Sequence, residues 1–300
     1  MIVKLSDNLY KIRGRNPFSQ VFRTLNIYVI PRMKLMIDTG SIINIHEIKK
    51  GLSKLNLSVS DIEMVIVTHA HLDHIGGVDY FINADVYLHP YEIDYILNFK
   101  RIQEDVVRKV RNYLRFANVS DEVIESIIKR YLNIVLNMTP KRRDYISIEG
   151  ITTRDLKVID TPGHTLGSIS IIFGRWIFIG DSVSVSKGLY IQSVNDYMYT
   201  LNYLLTLIKP EVTLLPGHLE KVTYSAILRM KNYCLRRIKE IKRVLETNNV
   251  DLFKRRIREE FKLRLKDPIS AVTYIRQLNN YLEYLSRENI ELPEEISKLL

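Results

Sequence analysis

Four short polar segments of the sequence combine histidine and aspartate at spacings that suit metal binding. THAHLDH (68–74) places three of the seven histidines of the chain, together with an aspartate, within six residues. Zinc and similar divalent cations bind imidazole nitrogen at about 2.0–2.1 Å and carboxylate oxygen at a similar distance. The density of these ligand types predicts a metal site. The other three segments are TPGHTLGS (161–168), GDS (180–182) and PGH (216–218).

The histidine-rich segment has a spacing that suits two ions. In an H-x-H pair that leaves a strand, His69 and His71 can point to one side and share one ion. Asp73 and His74 follow at the start of a predicted helix, where they can face a second ion. An isolated H-x-H is common by chance, whereas H-x-H-x-D-H is far more specific to metal binding.

Every candidate ligand segment follows a short apolar run that is typical of a buried strand. Because strand ends gather at one edge of a sheet, where ligands bind, side chains from distant segments can meet there. The sequence therefore predicts one site assembled at a sheet edge. The predicted strands are NLYKIRG (8–14), NIYVIP (26–31), KLMIDTG (34–40), DIEMVIVTH (61–69), ADVYLHP (84–90), a strand within GITTRDLKVIDTPGH (150–164), SISIIFG (168–174), RWIFIGD (175–181) and VTLLPGH (212–218).

Helical periodicity dominates the rest of the chain. We predict a helix over 43–56, a helical insert over about 91–145 in which Ser120 caps the second helix, and a helix near 195–209 capped by Asn195 or Asp196. Beyond His218 the pattern is helical and charged, with a break at TNN (247–249). The predicted organisation is an α/β catalytic domain over 1–220 and a helical module over 221–300.

Composition and charge limit the classes of protein that fit. The single cysteine, Cys234, excludes an internal disulfide and a CxxC zinc site. We find no apolar segment typical of a signal peptide or a membrane span, so we expect a soluble cytoplasmic protein. The net charge is +10, and residues 229–266 hold 14 Lys and Arg against 5 Asp and Glu. Such a stretch attracts phosphates or RNA, or it is the solvated face of charged helices.

In their order along the chain, IDTG (37–40) and the four ligand segments resemble the metallo-β-lactamase-fold hydrolase superfamily, most closely its glyoxalase II-like branch. The resemblance implies an αββα sandwich with a two-metal site at one edge. Carried over by position, it assigns one metal to three histidines, a second metal to three further ligands, and a bridging role to Asp181. The first set is His69, His71 and His164, and the second is Asp73, His74 and His218.

Three further polar residues, Asp38, His46 and His89, are not among the seven assigned ligands. Asp38 in IDTG is either a turn-forming aspartate or a carboxylate that receives the free N–H of a ligand histidine, and we favour the second interpretation. His46 and His89 match no motif and are interpreted as ordinary surface or packing histidines.

The implied chemistry is hydrolysis by a hydroxide that bridges two divalent ions, with Asp73 and Asp181 as the catalytic carboxylates. Zinc is the expected metal, with iron or manganese as alternatives. No G-x-S-x-G nucleophile motif is present, and Cys234 lies in a charged helical run well past the last ligand. Asp73 has a second implied role, in steering the water or moving its proton.

Three functions remain open from the sequence. The first is a glyoxalase II-like hydrolase of a small thioester, ester or lactone. The second is an endoribonuclease on single-stranded RNA, because the helices after His218 weakly resemble the C-terminal module of the lactamase-β-2-like branch, and RNA would bind along 229–266. The third is a persulfide dioxygenase-like enzyme with one iron. The apolar helices of the insert also favour a homodimer.

Overall fold

The computed structural model describes residues 2–17, 24–149, 151, 153, 155–183 and 190–300, and these residues form two β-sheets. The N-terminal half of the chain forms the first sheet. Its strands pair in chain order, antiparallel up to the fourth and parallel from there on. They are β1 (Ile2–Ser6), β2 (Leu9–Arg15), β3 (Thr24–Ile30), β4 (Leu35–Ile37), β5 (Met64–Ile66), β6 (Asp85–Leu88) and β7 (Ile146–Ser147). Two of these strands were not predicted: β1, which a two-residue turn joins to β2, and the two-residue β7.

The second sheet has the strand order β11-β10-β9-β8 within the described residues. Its strands are β8 (Lys157–Asp160), β9 (Ile169–Phe173), β10 (Trp176–Gly180) and β11 (Thr213–Pro216). β10 pairs antiparallel with β9 and parallel with β11. Because β10 and β11 run in the same direction, the segments that follow them leave the sheet side by side.

The two sheets pack face to face. Alternation along each strand sends one set of apolar side chains between the sheets and the other set towards the helices. Tyr28, Ile66 and Phe178 belong to the shared core, and the ring centroids of Tyr28 and Phe178 are 4.9 Å apart. Val29 and Val65 instead belong to the larger core formed with the helices. The predicted αββα sandwich is confirmed.

Helices cover the sandwich and continue beyond it. They are α1 (Ile45–Ser53), α2 (Leu72–Ile75), α3 (Pro90–Leu97), α4 (Phe99–Phe116), α5 (Asp121–Asn137), α6 (Val194–Leu207), α7 (Tyr224–Glu246), α8 (Val250–Lys262), α9 (Pro268–Arg287) and α10 (Glu294–Ser297). In the described part of the chain, none of them is long and apolar enough to cross a membrane.

Two predicted helix signals are confirmed and one is wrong. Ser120 is the N-cap of α5, and the TNN break separates α7 from α8. The predicted cap of α6 was wrong: Ser193, rather than Asn195 or Asp196, is the N-cap, and its hydroxyl accepts the backbone N–H of Asp196. A serine oxygen satisfies the N3 donor at that position, so the helix begins before the two residues that we expected.

The helical insert packs against α9 of the C-terminal helices. The buried Tyr113 of α4 donates its hydroxyl to Asn279 Oδ1 of α9 at 3.2 Å, and Lys109 Nζ lies 3.4 Å from Glu283 Oε1. These contacts join two helical segments that are more than 160 residues apart in sequence. Other residues of the insert and of α9 line the cleft described below. The boundary at residues 220/221 stays a prediction.

Candidate metal centre

Strand ends bring the candidate ligands together. His69 and His71 follow β5 in a short extended segment, and α2 then starts with Asp73 in its first turn. His164 follows β8, and the neighbouring parallel strands β10 and β11 deliver Asp181 and His218. The side chains meet at one edge of the sandwich, where we expected the site.

Three histidines form the first cluster. His71 Nδ1 lies 3.1 Å from His69 Nε2 and 3.0 Å from His164 Nε2. The His69 and His164 side chains are almost fully buried. Burial disfavours the imidazolium form and lowers the pKa of all three histidines, so each is neutral and presents a nitrogen lone pair to its neighbours. Neutral imidazoles with converging lone pairs are suited to bind a cation.

The second cluster consists of Asp73, His74 and His218. The His218 Nε2 atom lies 3.3 Å from Asp73 Oδ2. The donor atoms of the three side chains all lie within 4.8 Å of one another. Asn16 Nδ2 donates to Asp73 Oδ2 at 3.0 Å, so an amide from the loop after β2 orients this carboxylate.

Asp181 lies between the two clusters. Its Oδ2 atom is 3.2 Å from His218 Nε2 and 3.8 Å from His164 Nε2, and its Oδ1 atom is 3.6 Å from His74 Nε2. It therefore contacts one histidine of the first cluster and two of the second. A carboxylate has two oxygens with lone pairs to share, which suits a position between two cations.

The charges of this region compensate one another. Burial opposes the cationic form of His74 and His218. The neighbouring carboxylates, including Asp181, outweigh this effect and raise the pKa of both histidines, that of His218 to about 10. Burial likewise opposes ionisation of Asp181, but His218 and His74 hold its pKa well below the ordinary value. A metal ion that binds here displaces these protons, so metal affinity must rise with pH.

One buried nitrogen supports the fit of a metal to this site. His74 Nδ1 donates to Asp38 Oδ2 at 2.8 Å, whereas the buried Nε2 atom of the same ring has no hydrogen-bond partner among the described residues. A buried polar atom without a partner costs about 1–3 kcal/mol. A divalent cation between His74 and Asp181 would satisfy that nitrogen, so the residues present fit the metal that the sequence implies.

Backbone carbonyls orient two of the other rings. His164 Nδ1 donates to Tyr190 O at 2.7 Å, and His218 Nδ1 donates to Thr24 O at 3.0 Å. Each bond keeps a proton on Nδ1 and directs Nε2 towards the site, so Nε2 is the atom that would bind a metal. The ring orientation is therefore set before any ligand binds.

Asp38 supports two candidate ligands at once. Besides His74, it accepts the backbone N–H of Thr68 at 2.7 Å and the Thr68 hydroxyl at 3.0 Å. Because that hydroxyl donates to Asp38, its oxygen is free to accept from His69 Nδ1, 3.1 Å away. Asp38 has a φ of 59°, a left-handed conformation that aspartate and asparagine tolerate better than most residues. The carboxylate thus lies beneath both clusters.

Glycine is required where two loops approach closely. A Cβ atom on Gly217 would lie 2.5 Å from His74 Cε1 and 2.6 Å from Asp181 Oδ1. Gly163 has a φ of +124°, and a Cβ there would lie 2.3 Å from the backbone of Tyr197. The glycine before His164 and the one before His218 therefore let each histidine reach the site.

Sequence reasoning missed Glu92. This buried residue in the first turn of α3 accepts the Ala70 N–H through Oε2 at 2.7 Å and the Gly167 N–H through Oε1 at 3.0 Å. It joins the segment that carries His69 and His71 to the loop that carries His164. A glutamate in the first turn of a helix is an ordinary helix-start signal, so nothing in the sequence marks it for this role.

We expect Glu92→Gln to lower the free energy of unfolding by about 1–3 kcal/mol, because its amide nitrogen would face one of the two buried N–H donors. The displaced loops should also weaken metal binding at the first cluster. Urea unfolding and chelator competition measure the two effects. Glu104→Gln, at an exposed position of α4, is the matched control. Equal stability and metal affinity for Glu92→Gln and the control would contradict this role.

The two histidines without a motif lie apart from the clusters. His89 is the N-cap of α3, where its Nδ1 accepts the Tyr91 N–H at 3.2 Å. His46 lies in α1 and belongs to none of the metal-competent groups among the described residues. His89 is thus a packing and capping histidine, as expected.

A cleft of about 1060 Å³ opens over the clusters. Its floor includes His71, Asp73, His164, Asp181 and His218, and its far wall comes from the C-terminal helices. Four basic side chains of the 229–266 stretch line this wall, and tyrosines from several parts of the chain line the cleft between them. The basic residues are Arg236, Arg237, Arg264 and Lys266, and the tyrosines are Tyr95, Tyr131, Tyr190, Tyr233 and Tyr274.

Known proteins resemble this chain in fold and in sequence. A metallo-beta-lactamase family protein from Thermus thermophilus superposes with a TM-score of 0.68 over 95% of both chains, and at 18% sequence identity this likeness shows the fold alone. The "Beta-lactamase-like protein 2 homolog" of Caenorhabditis elegans is 27% identical over 250 residues, which cover 82% of this chain and 72% of that protein.

A second relative and a match to a protein family support the same relationship. A "Probable metallo-hydrolase" of Methanocaldococcus jannaschii is 32% identical over 148 residues, which cover 49% of this chain. The match spans only 50% of that relative's length. The family model described as "Metallo-beta-lactamase superfamily" matches residues 24–218, which include all four ligand segments. With about two thirds of its length matched to that family, the chain belongs to the metallo-beta-lactamase superfamily.

Proposed function

We propose that this protein is a metal-dependent hydrolase that cleaves a small thioester, ester or lactone with water as the nucleophile. The observation that carries the proposal is the position of Asp181 between two clusters of donors on the floor of an open cleft. Two bound divalent cations, which we propose to be zinc, would polarise the scissile carbonyl and lower the pKa of a water molecule here. The glyoxalase II-like activity implied by the sequence is one form of this proposal.

The residues of the chain divide the remaining tasks. His69, His71 and His164 would hold one ion, Asp73, His74 and His218 the other, and Asp181 would contact both. Asp73 would also orient the attacking water and carry its proton, because it borders the cleft and Asn16 fixes its carboxylate.

A side-chain nucleophile has little support. Burial raises the pKa of the Cys234 thiol to about 11, so the thiolate form is scarce at neutral pH. Cys234 is also fully buried in α7 and does not line the cleft. Activation of water is the alternative that requires no such group.

The experiment that tests the proposal is metal analysis of the purified protein, followed by assay against a thioester, a lactone and single-stranded RNA. Two equivalents of zinc with thioester or lactone turnover, lost on chelation and restored by zinc, is the expected result. One equivalent of iron with O₂ uptake would instead support the persulfide dioxygenase-like alternative. Turnover that survives complete metal removal would exclude every metal-dependent mechanism.

A ribonuclease is the second candidate, and the cleft is the observation that favours it. The basic stretch by itself lacks the aromatic platforms on which single-stranded bases stack, but the fold adds tyrosines from α3, α5 and the segment before α6 to the same cleft. An RNA substrate predicts binding that weakens steeply with salt, because each neutralised phosphate releases counterions. A small substrate with one charge predicts a shallow salt dependence.

A further inference from the structure

Arg276 of α9 projects into the cleft beside the first histidine cluster. Its guanidinium carbon lies 4.3 Å from the centroid of the Tyr190 ring, and Nη2 donates to the Tyr190 hydroxyl at 3.1 Å. The Tyr190 ring centroid lies 6.0 Å from that of His71 and 6.3 Å from that of His164. The guanidinium is thus one aromatic ring away from two candidate metal ligands.

The position of Arg276 is fixed by the same segment that orients His164. Tyr190 O accepts from His164 Nδ1, and the next residue is held by two side chains of α9. Gln277 Oε1 accepts the Ile191 N–H at 3.1 Å, and Asn280 Nδ2 donates to Ile191 O at 2.8 Å. The geometry between Arg276 and the histidines is therefore built into the fold.

Arg276 differs from Arg237 and Arg264 of this cleft because it has no carboxylate partner among the described residues. Arg237 Nη1 lies 2.8 Å from Glu240 Oε2, and Arg264 Nη1 lies 2.7 Å from Glu260 Oε2. Within the described residues, no carboxylate oxygen lies within 4.0 Å of an Arg276 nitrogen. A guanidinium has five N–H donors, and only the bond to Tyr190 meets standard hydrogen-bond geometry among these residues.

The groups around Arg276 do not neutralise its charge. The side chains that border it include Tyr95 and Tyr131, whose pKa is raised by burial, so both are uncharged at neutral pH. A partly buried cation without a counter-charge is unfavourable. Metal cations bound nearby would add electrostatic repulsion. An anion that binds in the cleft would relieve this repulsion.

We propose that Arg276 is the specificity-determining residue that binds an oxyanion of a small substrate, a carboxylate or a phosphate group placed next to the scissile bond. The planar guanidinium presents paired donors that match either group. This inference rests on the proposed hydrolase function and names the chemistry that its substrate must carry.

Anion binding tests the inference without an activity assay. We would titrate succinate and, separately, inorganic phosphate into the zinc-loaded protein by calorimetry and compare wild type with Arg276→Gln and Arg276→Lys. The preferred anion should bind about 10- to 100-fold more weakly to Arg276→Gln, because charged hydrogen bonds are lost. The anion affinity of Arg276→Lys should lie between those of wild type and Arg276→Gln, because lysine keeps the charge but lacks the planar pair of donors. Arg175→Gln removes an exposed arginine stacked on Trp176 and should match wild type.

Two esters with the same leaving group test whether Arg276 contributes to turnover of an anionic substrate. Arg276→Gln should lower kcat/KM for 4-nitrophenyl hemisuccinate about 10- to 100-fold, mainly through KM, and affect neutral 4-nitrophenyl acetate far less. Equal loss on both esters, or anion affinities that match wild type, would overturn the assignment. An effect confined to cleavage of single-stranded RNA would overturn the small-substrate assignment. If wild type hydrolyses neither ester, the proposed function fails for these substrates, while the calorimetry still decides the role of Arg276.

Discussion

Replacing Asp181 with asparagine is expected to lower kcat/KM for the hydrolysed substrate by more than about 100-fold, which exceeds the loss typical of a residue that only supports a ligand. The carboxylate lies 3.2 Å from His218 Nε2, 3.6 Å from His74 Nε2 and 3.8 Å from His164 Nε2. Asparagine keeps its shape but removes the negative charge that a position between two cations requires. The second cluster, which has two residues beside Asp181, should therefore lose more affinity than the first, which has one.

Metal content separates this explanation from a general loss of structure. The first cluster keeps its three histidines in Asp181→Asn, so we expect bound zinc to fall from two equivalents towards one rather than to zero. Circular dichroism should show a folded protein. Asp85→Asn, at an exposed position at the start of β6, is the matched control and should retain activity and metal. Full turnover with two equivalents of zinc in Asp181→Asn would rule out the role of Asp181 between the two ions.

Asp38→Asn should weaken metal binding by about 10- to 100-fold, although Asp38 itself is not assigned as a ligand. Its Oδ2 atom accepts from His74 Nδ1 and from the Thr68 hydroxyl, and this hydroxyl lies 3.1 Å from His69 Nδ1. An amide cannot accept at both oxygen positions, so a buried donor loses its partner at a cost of about 1–3 kcal/mol in the free energy of unfolding. Chelator competition and urea unfolding measure these effects.

Asparagine is the appropriate substitution because it tolerates the left-handed backbone at this position. The matched control is Asp61→Asn. Asp61 also accepts a backbone N–H and a hydroxyl, both from Ser58, at 2.7 and 2.6 Å, but it is exposed and belongs to neither histidine cluster. The control should lose little stability and no metal affinity. Wild-type metal affinity in Asp38→Asn would show that the carboxylate has no role in orienting His74 and His69.

Sequence reasoning is most informative where residue type and position along a strand coincide. The spacing of His69, His71, Asp73 and His74 directly after an apolar strand, and the repeat of polar residues after later strands, predict one assembled site because strand ends gather at a sheet edge. The structure brings all seven side chains to that edge. The αββα architecture follows from the same alternation of apolar runs and helices.

Residues whose role comes from long-range contact leave no such pattern. Glu92 looks like a helix-start glutamate until the fold brings the backbone nitrogens of Ala70 and Gly167 to 2.7 and 3.0 Å from its oxygens. The basic stretch 229–266 is poor in aromatic residues, but α5 and the segment before α6 contribute tyrosines to the same cleft.

The sequence by itself determined the kind of chemistry, because ligand types and their order along the chain are local properties. Tertiary structure alone decided which cationic side chain of the cleft is placed away from any carboxylate. Arg237 and Arg264 pair with glutamates three or four residues away along the chain. Arg276 instead contacts Tyr190, 86 residues away, and no carboxylate in the described chain. Whether a charge is neutralised depends on every element packed around it, which local sequence does not encode.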